Sequence, residues 1–132
     1  MIVERNRERL LEALNDVGAP ILLGSDTPNL FQIPGFAIRA ELIAMQGAGM
    51  SPYDVVLSGT RRVGEYLRKN VGTVTVGAEA DLILLDANPL DDVANVRDPA
   101  GVMLRGQWLP RATLERRLQE IREQPGNYRG GE

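Results

Sequence analysis

The sequence predicts an α/β protein, because helical and strand-like patterns succeed one another along its 132 residues. Up to Asn70, apolar residues mostly recur at the spacing of a helix face. The exception is a short, wholly apolar run at 20–23, which is typical of a strand covered on both faces of a parallel sheet. After Asn70, short apolar runs are bounded by Gly, Asp and an Asn-Pro turn, as in strands joined by tight connections.

Four helices are predicted before Asn70, over residues 5–17, 36–46, 52 onward and 60–69. Gly18 suits the C-cap of the first helix, because glycine adopts a positive φ without strain. Ser51 suits the N-cap of the third helix, and Pro52 suits its first position. The fourth helix is expected to bury Val63 and Leu67.

Four strands are predicted after Asn70, over residues 71–76, 82–85, 102–104 and 107–109. Arg105 and Gly106 lie between the last two and are predicted to form a two-residue hairpin turn. A final helix over 110–123 places Leu114, Leu118 and Ile121 on one face. This face is expected to pack on the chain's own strands, with docking of a partner as the alternative.

The composition contains no Cys and no His, and the net charge is -3. Disulfides, thiolate nucleophiles, zinc fingers and Ser-His-Asp triads are therefore excluded within this chain. Its mild acidity argues against nucleic-acid binding, since such proteins place Lys and Arg along phosphates. No apolar run is long enough to cross a membrane, and there is no secretory signal, so a cytoplasmic protein is expected.

The predicted elements leave backbone groups without partners. One buried strand among four helices cannot form a parallel sheet, because its N–H and C=O groups need neighbouring strands. A (β/α)₈ barrel needs at least about 200 residues. The few strands of the second half would form an open sheet with unpaired edges. Both halves are therefore expected to belong to something larger.

Asp26 is the prime candidate for chemistry, because it comes just after the apolar run at 20–23. Proteins with parallel sheets bind their ligands at the carboxyl ends of the strands. The alternative is that the carboxylate of Asp26 only stabilises the turn that Asp26 forms with Thr27 and Pro28, which is a common role of Asp.

Residues 22–109 resemble the C-terminal part of metal-dependent amidohydrolases, in the branch similar to imidazolonepropionases and Xaa-Pro dipeptidases. The matching segments come in the family order: LGSD at 23–26, PGF at 34–36, EL at 41–42, AGMSP at 48–52, GTV at 72–74 and GAEADLILLDANPL at 77–90. The last segment is the most specific of them. The ordered set, rather than any one segment, carries the resemblance.

The resemblance implies a fold made of two parts of a larger enzyme. Residues 1–70 would form the last βα units of a (β/α)₈ TIM barrel, with LGSD at the end of the eighth strand. Residues 71–109 would form strands of the adjoining small β-sandwich. Residues 110–123 would form a C-terminal amphipathic helix, and 124–132 a disordered tail. The partner would then be the missing N-terminal half of the barrel.

The resemblance also implies a chemistry: hydrolysis of C–N bonds in small amides, cyclic amides or dipeptides. A divalent metal, with zinc the expected ion, would be held mostly by His residues of earlier strands. Asp26 would contact the metal or its water, take the water's proton and pass it to the leaving nitrogen. Thr27, Asn29 and Phe31 would line the substrate pocket, unless they are ordinary loop residues. Alone, the chain is expected to be inactive and to bind no metal tightly, because one carboxylate does not hold a catalytic ion.

The other acidic residues are expected to be structural, although those between 79 and 98 could resemble a cation site. Asp81 and Asp86 bracket a predicted strand, and Asp is a common turn residue. Asp91 and Asp92 are assigned to a loop or to the first turn of a short helix. Trp108 is expected to pack in a core or an interface.

The chain departs from the family pattern at two positions. Arg62 stands where relatives commonly carry Asn, and Arg39 lies in a stretch where many relatives carry a His. An alternative to the hydrolase also stays open, namely a non-catalytic module that covers its exposed edges by self-association or by binding a partner chain.

Overall fold

The structure, a computed structural model, describes residues 2–28 and 32–123. These residues form five α-helices, one 3₁₀ helix and one three-stranded sheet. In chain order the elements are α1 (Ile2–Asp16), α2 (Phe36–Gly47), α3 (Pro52–Ser58), α4 (Arg61–Leu67), β1 (Leu82–Leu84), the 3₁₀ helix (Val93–Val96), β2 (Gly101–Leu104), β3 (Gln107–Pro110) and α5 (Arg111–Glu123). The mixture of helices and strands is as predicted, and the tail predicted to be disordered lies outside the described residues.

Helix α1 ends in the predicted glycine cap. Gly18 has a φ of 71°. Its amide donates to the carbonyl of Asn15 at 2.9 Å, and the amide of Ala19 donates to the carbonyl of Leu14 at 2.9 Å. These two bonds satisfy carbonyls that the helix leaves without partners, in the arrangement of a Schellman motif.

The start of α3 also follows the prediction. The Ser51 hydroxyl accepts a hydrogen bond from the Asp54 amide at 3.1 Å and donates to the Asp54 carboxylate at 2.6 Å. Helix α4 is shorter than predicted. Val63 is half-buried, but the predicted burial of Leu67 is wrong, because Leu67 is the last residue of α4 and is 50% exposed.

The sheet is antiparallel, with β2 between β1 and β3. Val102 pairs with Ile83 on one side and with Leu109 on the other. The predicted hairpin turn is confirmed: Arg105 has a φ of 49° and Gly106 a φ of 78°. A two-residue turn with positive φ at both positions matches the twist of the strands that it joins.

Two predicted strands do not form in the described structure. Segment 71–76 consists of irregular chain and bends, with Val74 85% and Val76 106% exposed. The run at 20–23 has no partner strand among the described residues. Neither segment has a strand beside it among the described residues, and β-propensity produces a strand only where a neighbouring strand receives the backbone hydrogen bonds. The predicted strand at 71–76 is therefore wrong, whereas the barrel strand expected at 20–23, whose partners would lie in the missing part of a barrel, stays a prediction.

The buried core joins the two halves of the sequence. Its fully packed side chains are those of Met45, Met50, Val55 and Val93. Val93 comes from the 3₁₀ helix, and its amide donates to the side-chain oxygen of Gln46 on α2 at 3.1 Å. The 3₁₀ helix therefore fastens the second half of the chain to the helices of the first.

Helix α5 packs on the chain's own sheet, in contact with β2 and β3. Its apolar side chains at 114 and 121 are half-buried, while Leu118 remains exposed. The Trp108 ring lies against Gly101, where an added Cβ would be 2.3 Å from two ring carbons. None of the described helices is long and apolar enough to cross a membrane.

Candidate functional site

The segment 21–28 has one covered side and one open side. Its half-buried residues are Ile21, Leu23, Ser25 and Thr27, and its exposed residues are Leu22, Gly24, Asp26 and Pro28. Over 21–25 this alternation is that of an extended chain that lies on a surface. Asp26 therefore shares the open side of the segment with Leu22 and Gly24.

The covered side rests on the C-terminal end of α3. The Leu23 amide donates to the carbonyl of Ser58 at 3.1 Å. The Leu23 side chain packs on Gly59, where an added Cβ would lie 2.6 Å from Leu23 Cδ2. Ser58 is itself fully buried, and its hydroxyl donates to the carbonyl of Val55 at 2.7 Å. The buried end of α3 thus sets the position of the segment that carries Asp26.

Ser58 and Gly59 were not singled out from the sequence. Two small residues at the end of a helix are typical of an ordinary C-terminal cap, and nothing local indicates that a distant Leu will pack on them. The close approach of Leu23 to Gly59 is a long-range contact, which only the folded chain reveals.

Asp26 has a left-handed backbone conformation, with a φ of 52°. This conformation costs an L-residue about 1–2 kcal/mol, although Asp tolerates it better than most. On the covered side, the hydroxyl oxygens of Ser25 and Thr27 lie 3.0 Å apart and share a hydrogen bond. A hydrogen bond contributes about 0.5–1.5 kcal/mol net, which is of the same order as that cost.

The four predicted site residues fall into three groups. Asp26 is exposed, as a site residue must be to meet a ligand. Thr27 is half-buried, with its hydroxyl directed to Ser25. Asn29 and Phe31 lie outside the described residues, so their predicted place beside Asp26 stays a prediction.

The described residues do not form a metal centre of their own. Among them, no group of three or more His, Cys, Asp or Glu side chains is arranged to hold a metal ion. Asp26 can supply one carboxylate ligand, but a tightly held catalytic metal needs about three protein ligands. The remaining ligands of any metal at Asp26 would have to come from beyond these residues.

Asp81 and Asp86 have the structural roles predicted for them. The Asp81 carboxylate accepts a hydrogen bond from the Arg105 amide at 2.5 Å, which fixes the hairpin turn against the start of β1. The Asp86 carboxylate pairs with the Arg111 guanidinium at 2.6 Å. This side-chain hydrogen bond raises the pKa of Arg111, against a smaller effect of desolvation.

Asp91 and Asp92 are also structural. The Asp92 carboxylate accepts from the Ala94 amide at 2.8 Å and caps the 3₁₀ helix, as the predicted short helix requires. The Asp91 carboxylate accepts from the side-chain amide of Asn88 at 3.1 Å. The acidic residues of this region are therefore used in turns and caps.

Both departures from the family pattern have local contacts, although Nη1 of Arg62 is buried without a hydrogen-bond partner among the described residues. Arg62 on α4 forms an ion pair with Asp54 on α3, with 3.1 Å between Nη2 and Oδ1. The Arg39 guanidinium lies over the Phe36 ring, 5.5 Å from its centroid, as in a cation–π contact. Arg62 therefore links the two short helices, one of which supports the segment with Asp26.

Comparison with known proteins shows what the chain is similar to. Residues 1–109 match the model of the Amidohydrolase family. A solved structure from Bifidobacterium longum, assigned as a prolidase, is 30% identical with a TM-score of 0.68. The structure of molinate hydrolase is 25% identical with a TM-score of 0.65. A further amidohydrolase, 24% identical with a TM-score of 0.63, supports the fold alone.

These matches cover most of this chain but a minor part of the other proteins. They include 85%, 86% and 78% of this chain, in the order given above. The chain in turn spans 30%, 27% and 25% of the length of those structures. No curated protein sequence matches the chain significantly.

Proposed function

Since this chain belongs to the amidohydrolase family, we propose that it is the C-terminal portion of a metal-dependent hydrolase that acts on C–N bonds. Residues 1–70 would supply the last βα units of its barrel, and residues 71–109 strands of its small β-sandwich. The observation that carries the proposal is the open side of segment 21–28, where Asp26 is exposed while the opposite side rests on helices.

This one-sided cover is what a barrel strand needs. In a (β/α)₈ barrel, successive strand residues face the outer helices and the barrel interior in turn. Leu22, Gly24 and Asp26 would then face the interior, and Asp26 would lie at the carboxyl end of the strand. Active sites of such barrels lie at that end, because the loops that follow the strands meet there.

Completion of the barrel would require one local change. The Leu23 amide is bonded to the carbonyl of Ser58. In a barrel, the amide groups of a strand donate to neighbouring strands. We therefore expect the Leu23 amide to exchange Ser58 for a strand of the upstream barrel portion, which is the proposed partner.

In the proposed reaction, the carboxylate of Asp26 takes a proton from the attacking water and later gives it to the leaving nitrogen. The family is generally metal-dependent, and a bound divalent ion, with zinc expected, supplies Lewis acidity that lowers the pKa of water. Asp26 fits as one ligand of such an ion, and residues beyond the described part would supply the others.

The substrate class is a small amide, cyclic amide or dipeptide. The likeness to the structure assigned as a prolidase favours a dipeptide among these. Asn29 and Phe31 are proposed to line the pocket around such a substrate, and Thr27, whose hydroxyl binds Ser25, is proposed to border it from the covered side of the segment. A cytoplasmic location is also part of the proposal, and it is compatible with the absence of cysteine from the sequence.

The proposal is tested by complementation. The relative from Bifidobacterium longum, shortened by the portion that this chain matches, is co-expressed with the chain. Complex formation, bound metal and hydrolysis of Xaa-Pro dipeptides are then measured. We expect a complex with activity, and Asp26→Asn in this chain should lower the activity by about 10²–10⁴-fold through loss of acid–base catalysis.

Asp86→Asn is the matched control, because Asp86 also follows an apolar run but pairs with Arg111 on the surface. It should leave the activity of the complex close to that of the unchanged chain. Robust hydrolysis by the chain alone, or full activity with Asp26→Asn, would contradict the proposal.

The second candidate is a non-catalytic interaction module. It is favoured by large apolar side chains that remain exposed, among them Val17, Leu22, Val74 and Val76. Such side chains are commonly covered by another chain or another copy. Association without hydrolysis or bound metal in the same experiment would support this candidate instead.

A further inference from the structure

The two neighbours of Asp26 in the chain are joined by a hydrogen bond between their hydroxyl groups. We propose that Thr27 is a positioning residue, whose hydroxyl binds Ser25 and holds Asp26 in the left-handed conformation that directs its carboxylate to the open side of segment 21–28. The inference rests on the proposed function only in the use that the carboxylate serves.

The first step concerns the hydroxyl pair. Ser25 and Thr27 are both half-buried, on the side of the segment that faces the helices, and their hydroxyl oxygens are 3.0 Å apart. A hydroxyl in such a place needs a partner, because burial removes part of its contact with water. Each side chain supplies that partner for the other, so a hydrogen bond joins the two residues on either side of Asp26.

The second step concerns that middle residue. Asp26 has a φ of 52°, which few residues other than Gly, Asn and Asp adopt. A change of φ to the usual negative range would rotate its Cα–Cβ bond relative to the segment, and the carboxylate would move with it. The restraint on the backbone is therefore also a restraint on the direction of the carboxylate.

A second hydroxyl pair in the chain shows that such a pair does not by itself produce a positive φ at the residue between its members. Thr73 and Thr75 are joined at 3.1 Å across Val74, yet Val74 has no positive φ. A β-branched residue is strongly disfavoured in the left-handed region, whereas Asp tolerates it. The hydroxyl pair therefore does not impose the conformation, but it holds one that Asp26 can adopt.

Nuclear magnetic resonance on the full chain tests the inference directly. A residue with positive φ gives a strong nuclear Overhauser effect between its own amide and α protons. We expect a strong signal for Asp26 in the unchanged chain and a several-fold weaker one in Thr27→Val, which keeps the shape of Thr but removes the hydroxyl. Thr27→Ser, which keeps the hydroxyl but removes the methyl group, should restore the signal.

Thr75→Val is the matched control, because it removes the same bond from the other pair, and it should leave the Asp26 signal unchanged. The inference is overturned if Asp26 gives a weak signal in the unchanged chain, or if Thr27→Val keeps the strong signal. A weak signal in Thr27→Ser together with a strong one in Thr27→Val would assign the effect to the methyl group and would also overturn it.

This measurement needs no activity, so its failure is distinct from failure of the proposed function. If the resonance results are as expected but the complemented complex is inactive, only the proposed function fails. In an active complex, Thr27→Val should lower kcat by about 10- to 100-fold with little change in KM, because a misplaced catalytic group affects mainly the chemical step. Thr27→Ser should restore kcat.

Discussion

Two apolar runs of this chain end in an Asp, and the structure treats them differently. The run that precedes Asp26 lies on the end of α3 and leaves Asp26 exposed on its open side. The run that precedes Asp86 forms β1, and Asp86 binds Arg111 at the start of α5. Both Asp side chains are exposed. The region of Asp26 is called open, because one side of its run is uncovered, and the region of Asp86 is called closed, because its run is paired within the sheet.

The two regions also satisfy their backbones in different ways. The second run pairs with β2, so its hydrogen bonds come from a neighbouring strand of the same sheet. The first run uses the carbonyl of Ser58, at the end of a helix, for the amide of Leu23. Because this hydrogen bond goes to the end of a helix and not to a strand, the run remains able to pair with a strand of another chain, as the proposed assembly requires.

The largest stability effect is expected from Gly101→Ala in the closed region. The new Cβ would lie 2.3 Å from two carbons of the Trp108 ring and 3.0 Å from the Leu109 carbonyl oxygen. Because both the ring and a backbone atom would have to move, we expect a loss of about 3 kcal/mol in the free energy of unfolding. Chemical denaturation followed by the fluorescence of Trp108, the chain's single Trp, measures it.

Gly47→Ala serves as the control for Gly101→Ala. Gly47 ends α2, and an added Cβ meets no atom within 4 Å. It should change the stability by no more than about 1 kcal/mol, in the favourable direction, because Ala is the better helix former. Equal stabilities for the Gly101→Ala variant and the unchanged chain would show that the Trp108 ring does not pack on this glycine.

A smaller effect is expected from Gly59→Ala under the open region. Here the added Cβ would meet Leu23 Cδ2 at 2.6 Å, which is the flexible end of a side chain. We expect a loss of about 1 kcal/mol and faster hydrogen exchange of the Leu23 amide, because its bond to Ser58 would be disturbed. Denaturation and exchange measurements check both.

A double-mutant cycle with Leu23→Ala separates this contact from other effects of Gly59→Ala. If the two residues touch, the combined variant should lose less stability than the sum of the single variants, since the clash is gone. Additive losses would contradict the contact and would leave the end of α3 without its proposed role in placing segment 21–28.

The smallest effect is expected from Gly24→Ala on the open side. An added Cβ meets nothing within 4 Å, and φ is not positive. The stability of the isolated chain should change by less than about 0.5 kcal/mol. An added Cβ at Gly18 also has no atom within 4 Å, but the φ of 71° should make Gly18→Ala measurably destabilising. The difference between the two variants therefore measures backbone strain in the absence of a steric clash.

The Gly24→Ala variant also tests whether the open side of segment 21–28 becomes covered in the complemented complex. In the complemented complex, the open side is proposed to face a barrel interior, which is densely packed. The same methyl group should then weaken assembly, although it is harmless in the isolated chain. Unchanged assembly would indicate that the open side stays uncovered in the complex.

Predictions from the sequence are confirmed where the structure depends on nearby residues. The Gly18 cap, the Ser51 cap and the Arg105–Gly106 turn were all predicted, because each is set by bonds within a few residues. Asp86 was predicted to be structural, as a turn residue, whereas its actual partner is the distant Arg111. The resemblance to amidohydrolases, carried by short ordered segments, agrees with the match of residues 1–109 to that family.

Predictions were wrong where an element needs a distant partner. Segment 71–76 has the residues of a strand but no neighbour among the described residues to pair with, so its Val side chains stay exposed. The contribution of Val93 to the core of the helices could not be read from a short loop-like stretch. Both depend on contacts between residues far apart in the chain.

Local hydrogen bonds and φ preferences are properties of short stretches, and from them the amino-acid order already specified the helices, their caps, the hairpin and the family. The surroundings of each Asp were set by folding. Asp26 is exposed because Leu23 docks on Gly59 and leaves the other side of its segment uncovered. Asp86 is bound because the hairpin and α5 bring Arg111 to it. The energy of such contacts depends on positions in space, which no short stretch of sequence contains.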